Sequence, residues 1–235
     1  MNEATRQKLE RPIRCVIFDV DGTLAQTNDL IFSTFNYVAE RFAGRRFSPE
    51  QIIALFGPPE EVAIGRIVGE EQLPIAAAEF YEYYYTHLPD MARLYPGIDE
   101  LLKELKERNI RLAIFTGKGR RTTLMTLEGL NIAHYFDLLV TGDDVMDHKP
   151  SGEGIRQILI KLKCTPEETL MVGDSVSDVK AAREAGVRIA SAQWDSYSVE
   201  KLREMEVELS FPSVAALRRW LLSQVDKERS DECRR

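Results

Sequence analysis

Two acidic residues, Asp19 and Asp21, follow a short apolar segment in the motif FDVDGT of this 235-residue chain. Side chains two positions apart at the end of a strand point to the same side, and Gly22 lets the backbone turn sharply beside them. Repulsion between neighbouring carboxylates is relieved by a bound cation or by protonation of one of them. We therefore expect a divalent cation at this turn.

A second pair of carboxylates, Asp174 and Asp178, lies in the motif GDSVSD, again after an apolar segment. If a helix begins near Ser177, Asp178 lies about one turn beyond Asp174 on the same side, where it can hold a metal-bound water. The alternative for Asp178 is a helix cap. Ligation by oxygen atoms alone is what Mg²⁺ prefers, and the well-separated histidines disfavour zinc. The expected cofactor is Mg²⁺.

A metal ion held by carboxylates needs a cationic partner if a phosphate dianion is to bind beside it. Lys149, in the segment DHKPSGEG, is the leading candidate for that partner. The hydroxyl group of Thr116 and the backbone N–H of Gly117 can donate to the same phosphate oxygens, as such groups do in anion-binding nests. The expected ligand is therefore an anionic small molecule that carries phosphate.

Further cations lie near these motifs or in the long segment between them. Lys118, Arg120 and Arg121 stand at the start of a helical pattern and are interpreted as a solvated helix face, so they are not assigned to the site. Arg66 is a weaker candidate for a contact with the substrate, because it lies in the same segment as a Gly-Pro loop.

The elements that position these motifs alternate between strands and helices. Short apolar runs that end at polar or glycine-containing turns predict strands at 13–18, 112–115, 138–140, 170–172 and 187–190, with a weak edge strand at 208–211. Apolar residues at helical spacing predict helices at 98–108, 121–130, 154–162, 178–185 and 213–224. This alternation predicts a parallel sheet with helices on both faces, which brings the motifs to its carboxyl-terminal edge.

The connection from residue 29 to residue 93 is too long to be a structureless loop in a compact domain. No strand is expected in it, and helical patterns fall at 30–42, 49–55, 59–68 and 75–88. The predicted fold class is α/β, with a Rossmann-like parallel sheet core and an inserted all-α subdomain. The predicted boundaries are 1–25 and 94–235 for the core and 26–93 for the insertion.

The composition limits the classes of partner. Acidic residues outnumber basic ones by 38 to 31, so the net charge of −7 disfavours nucleic acid. No apolar stretch approaches the ~20 residues of a membrane-spanning helix, and the polar first residues do not resemble a secretory signal, so we expect a cytoplasmic protein without a membrane partner.

The cysteines, Cys15, Cys164 and Cys233, are expected to be reduced thiols. A monomer and a homodimer both remain open.

The motifs DVDGT, Thr-Gly, Lys-Pro and GDSVSD occur in an order and at intervals that resemble the haloacid dehalogenase-like phosphatases. The resemblance covers residues 13–220. With its helical insertion, called a cap in that superfamily, the chain is similar to the group of phosphoglycolate phosphatases, PpaX pyrophosphatases and β-phosphoglucomutases. The chain departs from the family pattern at Gln26, where relatives carry an acidic residue, and at Gly152, where they carry a second proline.

The resemblance implies a Mg²⁺-dependent phosphatase that hydrolyses a small phosphorylated metabolite, a phosphoglycolate-like monoester or pyrophosphate, through an aspartyl-phosphate. The implied roles are those of nucleophile for Asp19 and of general acid and base for Asp21. The implied metal ligands are Asp19, the Asp21 carbonyl and Asp174, with Asp178 in support, and the implied phosphate ligands are Thr116 and Lys149. The alternatives are a sugar phosphomutase and, in another class, a non-catalytic regulatory binding protein of the same fold.

Overall fold

Strands alternate with helices along the chain in the computed structural model, which describes residues 12–226 in full and only the backbone of residues 227–232. The strands are β1 (Cys15–Phe18), β2 (Ala25–Gln26), β3 (Arg93–Leu94), β4 (Arg111–Phe115), β5 (Leu138–Val140), β6 (Thr169–Gly173), β7 (Arg188–Ala192) and β8 (Leu209–Phe211). The helices are α1 (Asn28–Ala43), α2 (Pro49–Ile53), α3 (Glu60–Val68), α4 (Leu73–Met91), α5 (Ile98–Glu107), α6 (Arg120–Gly129), α7 (Glu153–Leu162), α8 (Val176–Ala185), α9 (Val199–Glu204) and α10 (Val214–Glu232).

Six of the strands form one sheet in the order β5-β4-β1-β6-β7-β8, and every neighbouring pair is parallel. The chain adds β4 and β5 on one side of β1 and then crosses to the other side to add β6, β7 and β8. Ligands in open parallel sheets bind at the carboxyl ends of the strands, where the order reverses in this way. The predicted fold class is confirmed.

Side chains of the central strand β1 alternate between the two faces of the sheet. Val16 and Phe18 belong to a hydrophobic core that includes α5 and α10, whereas Cys15 and Ile17 belong to a second core that includes α7 and α8. All four side chains are fully buried. A strand covered on both faces has no polar side, which is why its sequence is apolar without alternation.

Helices α1 to α4, called the cap below, pack around a hydrophobic core of their own. At its centre the rings of Phe35 and Phe80 meet edge to face at 4.9 Å. Helix α1 ends at Gly44, whose φ of +62° is a left-handed conformation that a glycine adopts without strain. The short helix α2 begins with a capping box between Ser48 and Gln51. Local signals thus set the ends of the cap helices.

Two strands and one helix were not predicted from the sequence. Strands β2 and β3 pair antiparallel, Ala25 with Leu94 and Gln26 with Arg93, at the two ends of the cap. Arg93 Nε also donates to Gln26 Oε1 at 2.7 Å, so the departure at Gln26 contributes to this ribbon. Helix α9 was also missed, and strand β3 contradicts the expectation of no strand up to residue 93. The exact boundaries of core and cap stay a prediction.

Two further expectations concern the cysteines and the edge strand of the sheet. Cys15 and Cys164 are buried free thiols, and Cys233 lies outside the described residues. The weak edge strand is present as β8, at the outer edge of the sheet. Among the described residues, none of the helices is both long enough and apolar enough to cross a membrane.

Candidate active site

Residues from distant parts of the sequence meet in one cavity of about 460 Å³ at the carboxyl-terminal edge of the sheet. Asp19 follows β1, Thr116 follows β4 and Asp174 follows β6, so neighbouring parallel strands place these side chains together. The predicted site residues that line the cavity are Asp19, Asp21, Thr116, Gly117, Lys149 and Asp174. Asp178 is fully buried and lies outside the lining.

Lys149 lies between two carboxylates at the base of the site. Its Nζ is 2.5 Å from Asp178 Oδ1 and 3.1 Å from Asp19 Oδ1, and its side chain is 5% exposed. Burial favours the neutral amine, but attraction to Asp178 and Asp19 outweighs it and raises the pKa of Lys149. A permanent positive charge therefore stands beside the Asp19 carboxylate.

Three carboxylates, those of Asp19, Asp174 and Asp178, offer one oxygen each within 4.8 Å of one another. Asp19 Oδ1 is buried and lacks a hydrogen bond of good geometry within the described part of the chain. Burial and the neighbouring carboxylates raise the pKa of Asp19 to about 6 and raise that of Asp174 well above its ordinary value. A cation bound here would offset both the cost of burying these carboxylates and the repulsion between them. The three carboxylates therefore fit a hard divalent ion.

Small residues and hydroxyl groups hold Asp174 in place. Thr23 Oγ1 donates to Asp174 Oδ1 at 3.1 Å, and Ser196 Oγ donates to the Asp174 carbonyl. Gly22 has a φ of +77°, and a Cβ there would lie 2.6 Å from Asp174 Oδ2. The turn after β1 and the end of β6 therefore approach as closely as they do because residue 22 has no side chain.

Asp178 serves two structural roles at once. It accepts hydrogen bonds from the Ser175 backbone N–H at 3.0 Å and from the Ser175 hydroxyl at 2.6 Å, which completes a capping box at the start of α8. Its other oxygen pairs with Lys149. The helix begins at Val176, close to the predicted position near Ser177. The N-cap is Ser175 and not Asp178, so the alternative for Asp178 is wrong as stated, although its carboxylate takes part in the capping box from the third position of the helix.

The Asp21 side chain is directed to other partners than the acidic group. Thr27 Oγ1 donates to Asp21 Oδ1 at 2.5 Å, and Lys118 Nζ lies 3.4 Å from Asp21 Oδ2. Its carboxylate is not one of the three that converge on the possible metal position. A metal contact through the backbone carbonyl of Asp21 stays a prediction.

The interpretation of Lys118 as a solvated residue is wrong. Its side chain is 3% exposed, because the cap covers it, and its Nζ lies 3.9 Å from Glu60 of the cap and 4.7 Å from the Tyr84 ring centre. Burial lowers the pKa of Lys118, but Asp21, Tyr84 and Glu60 outweigh it, and the net pKa is raised. Its position directly after the Thr-Gly strand end was the one available signal.

The remaining arginines lie outside the cavity. Arg120 pairs with Asp144 at 2.6 Å, and the guanidinium group of Arg121 lies 4.1 Å from the centre of the Tyr81 ring. Arg66 is exposed and does not line the cavity. The prediction that Arg66 contacts the substrate is therefore wrong.

Glu60 was not recognised from the sequence. It is the first residue of α3 in the cap, yet its carboxylate accepts from the Gly119 backbone N–H at 2.8 Å and from the Thr122 hydroxyl, both at the start of α6 in the core. A carboxylate at a helix N-terminus is favoured by the unpaired N–H groups there. Glu60 thus joins cap and core at the edge of the cavity.

Residues 16–192 match the family of haloacid dehalogenase-like hydrolases. The chain belongs to this family. Pyrophosphatase PpaX of Bacillus cereus strain G9842 is 32% identical over 182 residues, which cover 77% of this chain and 84% of the relative. The predicted family is confirmed, and so is the predicted class of enzyme, a phosphohydrolase.

Solved structures share the fold of this haloacid dehalogenase-like hydrolase. CbbY from Rhodobacter sphaeroides, solved in complex with phosphate, aligns with a TM-score of 0.74 at 24% identity and covers 87% of this chain and 96% of CbbY. A candidate β-phosphoglucomutase from Thermotoga maritima aligns with a TM-score of 0.61 at 30% identity and covers 76% and 85% of the two chains. The overall fold is therefore common to these proteins over the aligned parts of the chains.

Proposed function

We propose that the protein is a Mg²⁺-dependent phosphatase that hydrolyses a small phosphorylated metabolite through an aspartyl-phosphate at Asp19. The observation that carries the proposal is the position of Asp19, which lines the cavity, pairs with Lys149 through Oδ1 and offers an oxygen within 4.8 Å of oxygens of Asp174 and Asp178. A carboxylate nucleophile needs no general base when it is ionised, so Asp19 can attack phosphorus directly.

Asp19 and Asp21 divide the chemistry. A bond forms between an Asp19 carboxylate oxygen and phosphorus, the bond from phosphorus to the ester oxygen breaks, and Asp21 gives its proton to the departing oxygen. Asp21 then takes a proton from the water that attacks the aspartyl-phosphate, and inorganic phosphate and free Asp19 result. Thr27 and Lys118 contact the Asp21 carboxylate and orient it toward the cavity.

Lys149, Thr116 and Gly117 bind the phosphoryl group in this proposal. The buried charge of Lys149 offsets negative charge on the phosphoryl oxygens, and a preorganised charge in a dry site acts more strongly than in water. Asp19, the Asp21 carbonyl and Asp174 would hold Mg²⁺, with Asp178 in support. When bound, the ion supplies further neutralisation of phosphoryl charge.

The relatives suggest the first compounds to assay. The name of the Bacillus cereus relative points to pyrophosphate, and the sequence resemblance adds phosphoglycolate-like monoesters. The name of the Thermotoga maritima protein supports a sugar phosphomutase as a second candidate. A mutase isomerises a hexose 1-phosphate without releasing phosphate, which phosphorus NMR distinguishes from hydrolysis. A cytoplasmic location and the absence of nucleic-acid partners stay predictions.

The test measures inorganic phosphate released from a panel of phosphorylated metabolites with and without Mg²⁺. Asp19→Asn should lower kcat by more than about 10³-fold, because the amide is a poor nucleophile. Asp29→Asn is the matched control, since Asp29 is exposed and lies outside the cavity lining. An Asp19→Asn enzyme that keeps its activity, or a wild type that is active on no member of the panel, would refute the proposal.

A further inference from the structure

The cavity above the motif residues has two chemically different walls. The core wall carries the charged groups of Asp19, Lys149 and Asp174 described above. The cap wall is mostly apolar, with the side chains of Ile31, Phe35, Ile53, Leu55, Phe56 and Phe80, and its polar members are Asn28, Glu60 and Tyr84. If phosphate binds at the core wall, the group esterified to it extends toward the cap wall. The chemistry of that wall therefore selects the leaving group.

The cationic side chains that line the cavity either form ion pairs with carboxylates or are exposed to solvent. Within the described part of the chain no arginine lines the cavity, and the lysines are Lys118, Lys149 and Lys180. Lys149 pairs with Asp19 and Lys118 with Asp21. Lys180 is exposed, and water and salt screen the attraction of an exposed cation for an anion. A second anionic group on the substrate would therefore meet the cap wall without a buried cation to receive it.

The buried polar side chains of the cap wall are also committed. The Glu60 carboxylate accepts from Gly119 and Thr122, and the Tyr84 hydroxyl lies 2.8 Å from Thr126 Oγ1. A sugar with several hydroxyl groups would lose hydrogen bonds to water here, and with Glu60 and Tyr84 occupied it would find Asn28 as the remaining polar side chain of this wall among the described residues. An apolar group loses no hydrogen bonds on entry and gains the burial of its surface.

An aromatic cluster extends the apolar surface to the mouth of the cavity. Phe56 and Tyr197 both line the cavity, Phe56 from the cap and Tyr197 from the core. The Phe32 ring links them, with centroids at 6.5 Å from Phe56 and 6.1 Å from Tyr197. Phe56 is 43% and Tyr197 57% exposed, so a ligand that enters can cover both rings.

We propose, on the basis of the function proposed above, that the preferred substrate is a phosphate monoester of an uncharged, apolar alcohol. Its phosphate binds at the core wall, and a short alkyl chain or a single ring lies against the cap wall formed around Phe35 and Phe80. Pyrophosphate and phosphoglycolate are then poor substrates, because each presents a second anion to an apolar surface. The same site chemistry acts on all of these compounds, and only the leaving group differs.

The test compares kcat/KM for ethyl, propyl, butyl and pentyl phosphate with that for pyrophosphate and phosphoglycolate. The alkyl alcohols have nearly equal acidity, so differences along the series report binding of the carbon chain. Each methylene that reaches the cap wall should raise kcat/KM by about fourfold until the cavity is filled. Butyl phosphate should exceed at least tenfold both competitors, each of which carries a second anionic group. A flat alkyl series, or a competitor that is turned over faster than butyl phosphate, would overturn the proposal.

A lysine placed in the cap wall should reverse the preference. Leu55 lines the cavity from a loop next to the short helix α2, and its neighbour Ala54 is exposed and outside the lining. Leu55→Lys should lower kcat/KM for butyl phosphate at least tenfold and raise that for phosphoglycolate. Ala54→Lys adds the same charge nearby and should change neither value. Equal effects of the two variants would contradict the assignment of the wall.

A binding experiment separates this inference from the proposed function. Alkylphosphonates carry a C–P bond that the enzyme cannot hydrolyse, so calorimetry with butylphosphonate, methylphosphonate and phosphonoacetate in the presence of Mg²⁺ needs no turnover. Tighter binding of butylphosphonate by at least tenfold supports the apolar wall even if no ester is hydrolysed. Equal affinity for the three compounds would contradict the inferred apolar binding surface even if hydrolysis of phosphate esters is observed.

Discussion

Lys118 Nζ lies 3.4 Å from Asp21 Oδ2, beneath the cap and 3% exposed. Lys118→Met keeps the length of the side chain but removes the charge that orients the Asp21 carboxylate. We expect kcat to fall about 10²-fold with a smaller change in KM, because misplacement of a catalytic group by about 1 Å has an effect of that size. Steady-state kinetics on a generic aryl phosphate measures the two constants.

Lys118→Arg and Lys103→Met are the controls for this prediction. Lys118→Arg keeps the charge and should recover part of kcat, whereas Lys103 is exposed on α5 and its replacement should have no effect. A Lys118→Met enzyme with normal kcat and only a lower melting temperature would show that Lys118 is structural.

Gly117 touches the cap through its backbone. A Cβ at this position would lie 2.9 Å from the Gly57 carbonyl oxygen, which is too close for the present separation of cap and core. Gly117→Ala should therefore hold the cap away from the site and lower kcat/KM by at least tenfold, with little loss of stability. Gly65→Ala, within helix α3, is the matched control, because among the described residues a Cβ there would meet only the Leu73 side chain of α4, at 3.6 Å. That variant should keep full activity, and it is expected to be more stable by up to ~1 kcal/mol.

Metal binding should stabilise the folded protein through the Asp174 carboxylate. Mg²⁺ at about 100 times its Kd should add ~2.7 kcal/mol, which corresponds to a rise in Tm of roughly 5–10 °C for a chain of this length. Asp174→Asn should lose most of this rise, and Asp29→Asn should keep it. A scanning fluorimetry series in Mg²⁺, with EDTA as the reference, measures the shift. An Asp174→Asn variant with the full rise would remove Asp174 from the metal site.

Glu104 on α5 and Arg218 on α10 form a two-pronged ion pair, with distances of 2.7 Å from Nε to Oε2 and 2.6 Å from Nη2 to Oε1. The hydrogen bonds from Arg218 lower the pKa of Glu104 in the folded state. The pair therefore contributes stability that is complete above the ordinary pKa of a glutamate, near 4.3, and is lost as the pH falls through the lower folded-state pKa.

Because both side chains are partly exposed, the contribution should be only about 0.5 kcal/mol. Urea unfolding should show Glu104→Gln to be less stable than the wild type by this amount at pH 7. The difference should shrink as the pH falls below about 4.3 and should vanish at an acidic pH below the lowered folded-state pKa of Glu104. A difference in stability that persists at the acidic pH would mean that packing of the side chain, and not its charge, is responsible.

Much of the site could be predicted because its residues follow strands whose apolar runs are visible in the sequence. Asp19 and Asp174 directly follow β1 and β6, and parallel neighbours in a sheet end at the same edge. Lys149 was identified although it follows β5 only after a short loop. The local pattern and the order of strands together determine where these side chains lie.

What could not be predicted depends on contacts between the cap and the core. The burial of Lys118 and the capping of α6 by Glu60 require α3 to lie over the core, and no local pattern encodes that placement. Strands β2 and β3 have two residues each, which is too short for a period-two pattern to be seen. Arg66 was favoured for its charge, but it lies on the solvent side of its helix.

The paired strands β2 and β3 make the polypeptide leave and rejoin the sheet domain at one point, where Ala25 faces Leu94 and Tyr95 N–H donates to the Leu24 carbonyl at 3.1 Å. The entropic cost of closing the chain between two ends that are already adjacent depends only weakly on the length of the intervening segment. The inserted segment is consequently modular: recombination can exchange it for another of different size while the reaction centre beneath is inherited unchanged. New substrates can arise in such a lineage without any new catalytic chemistry.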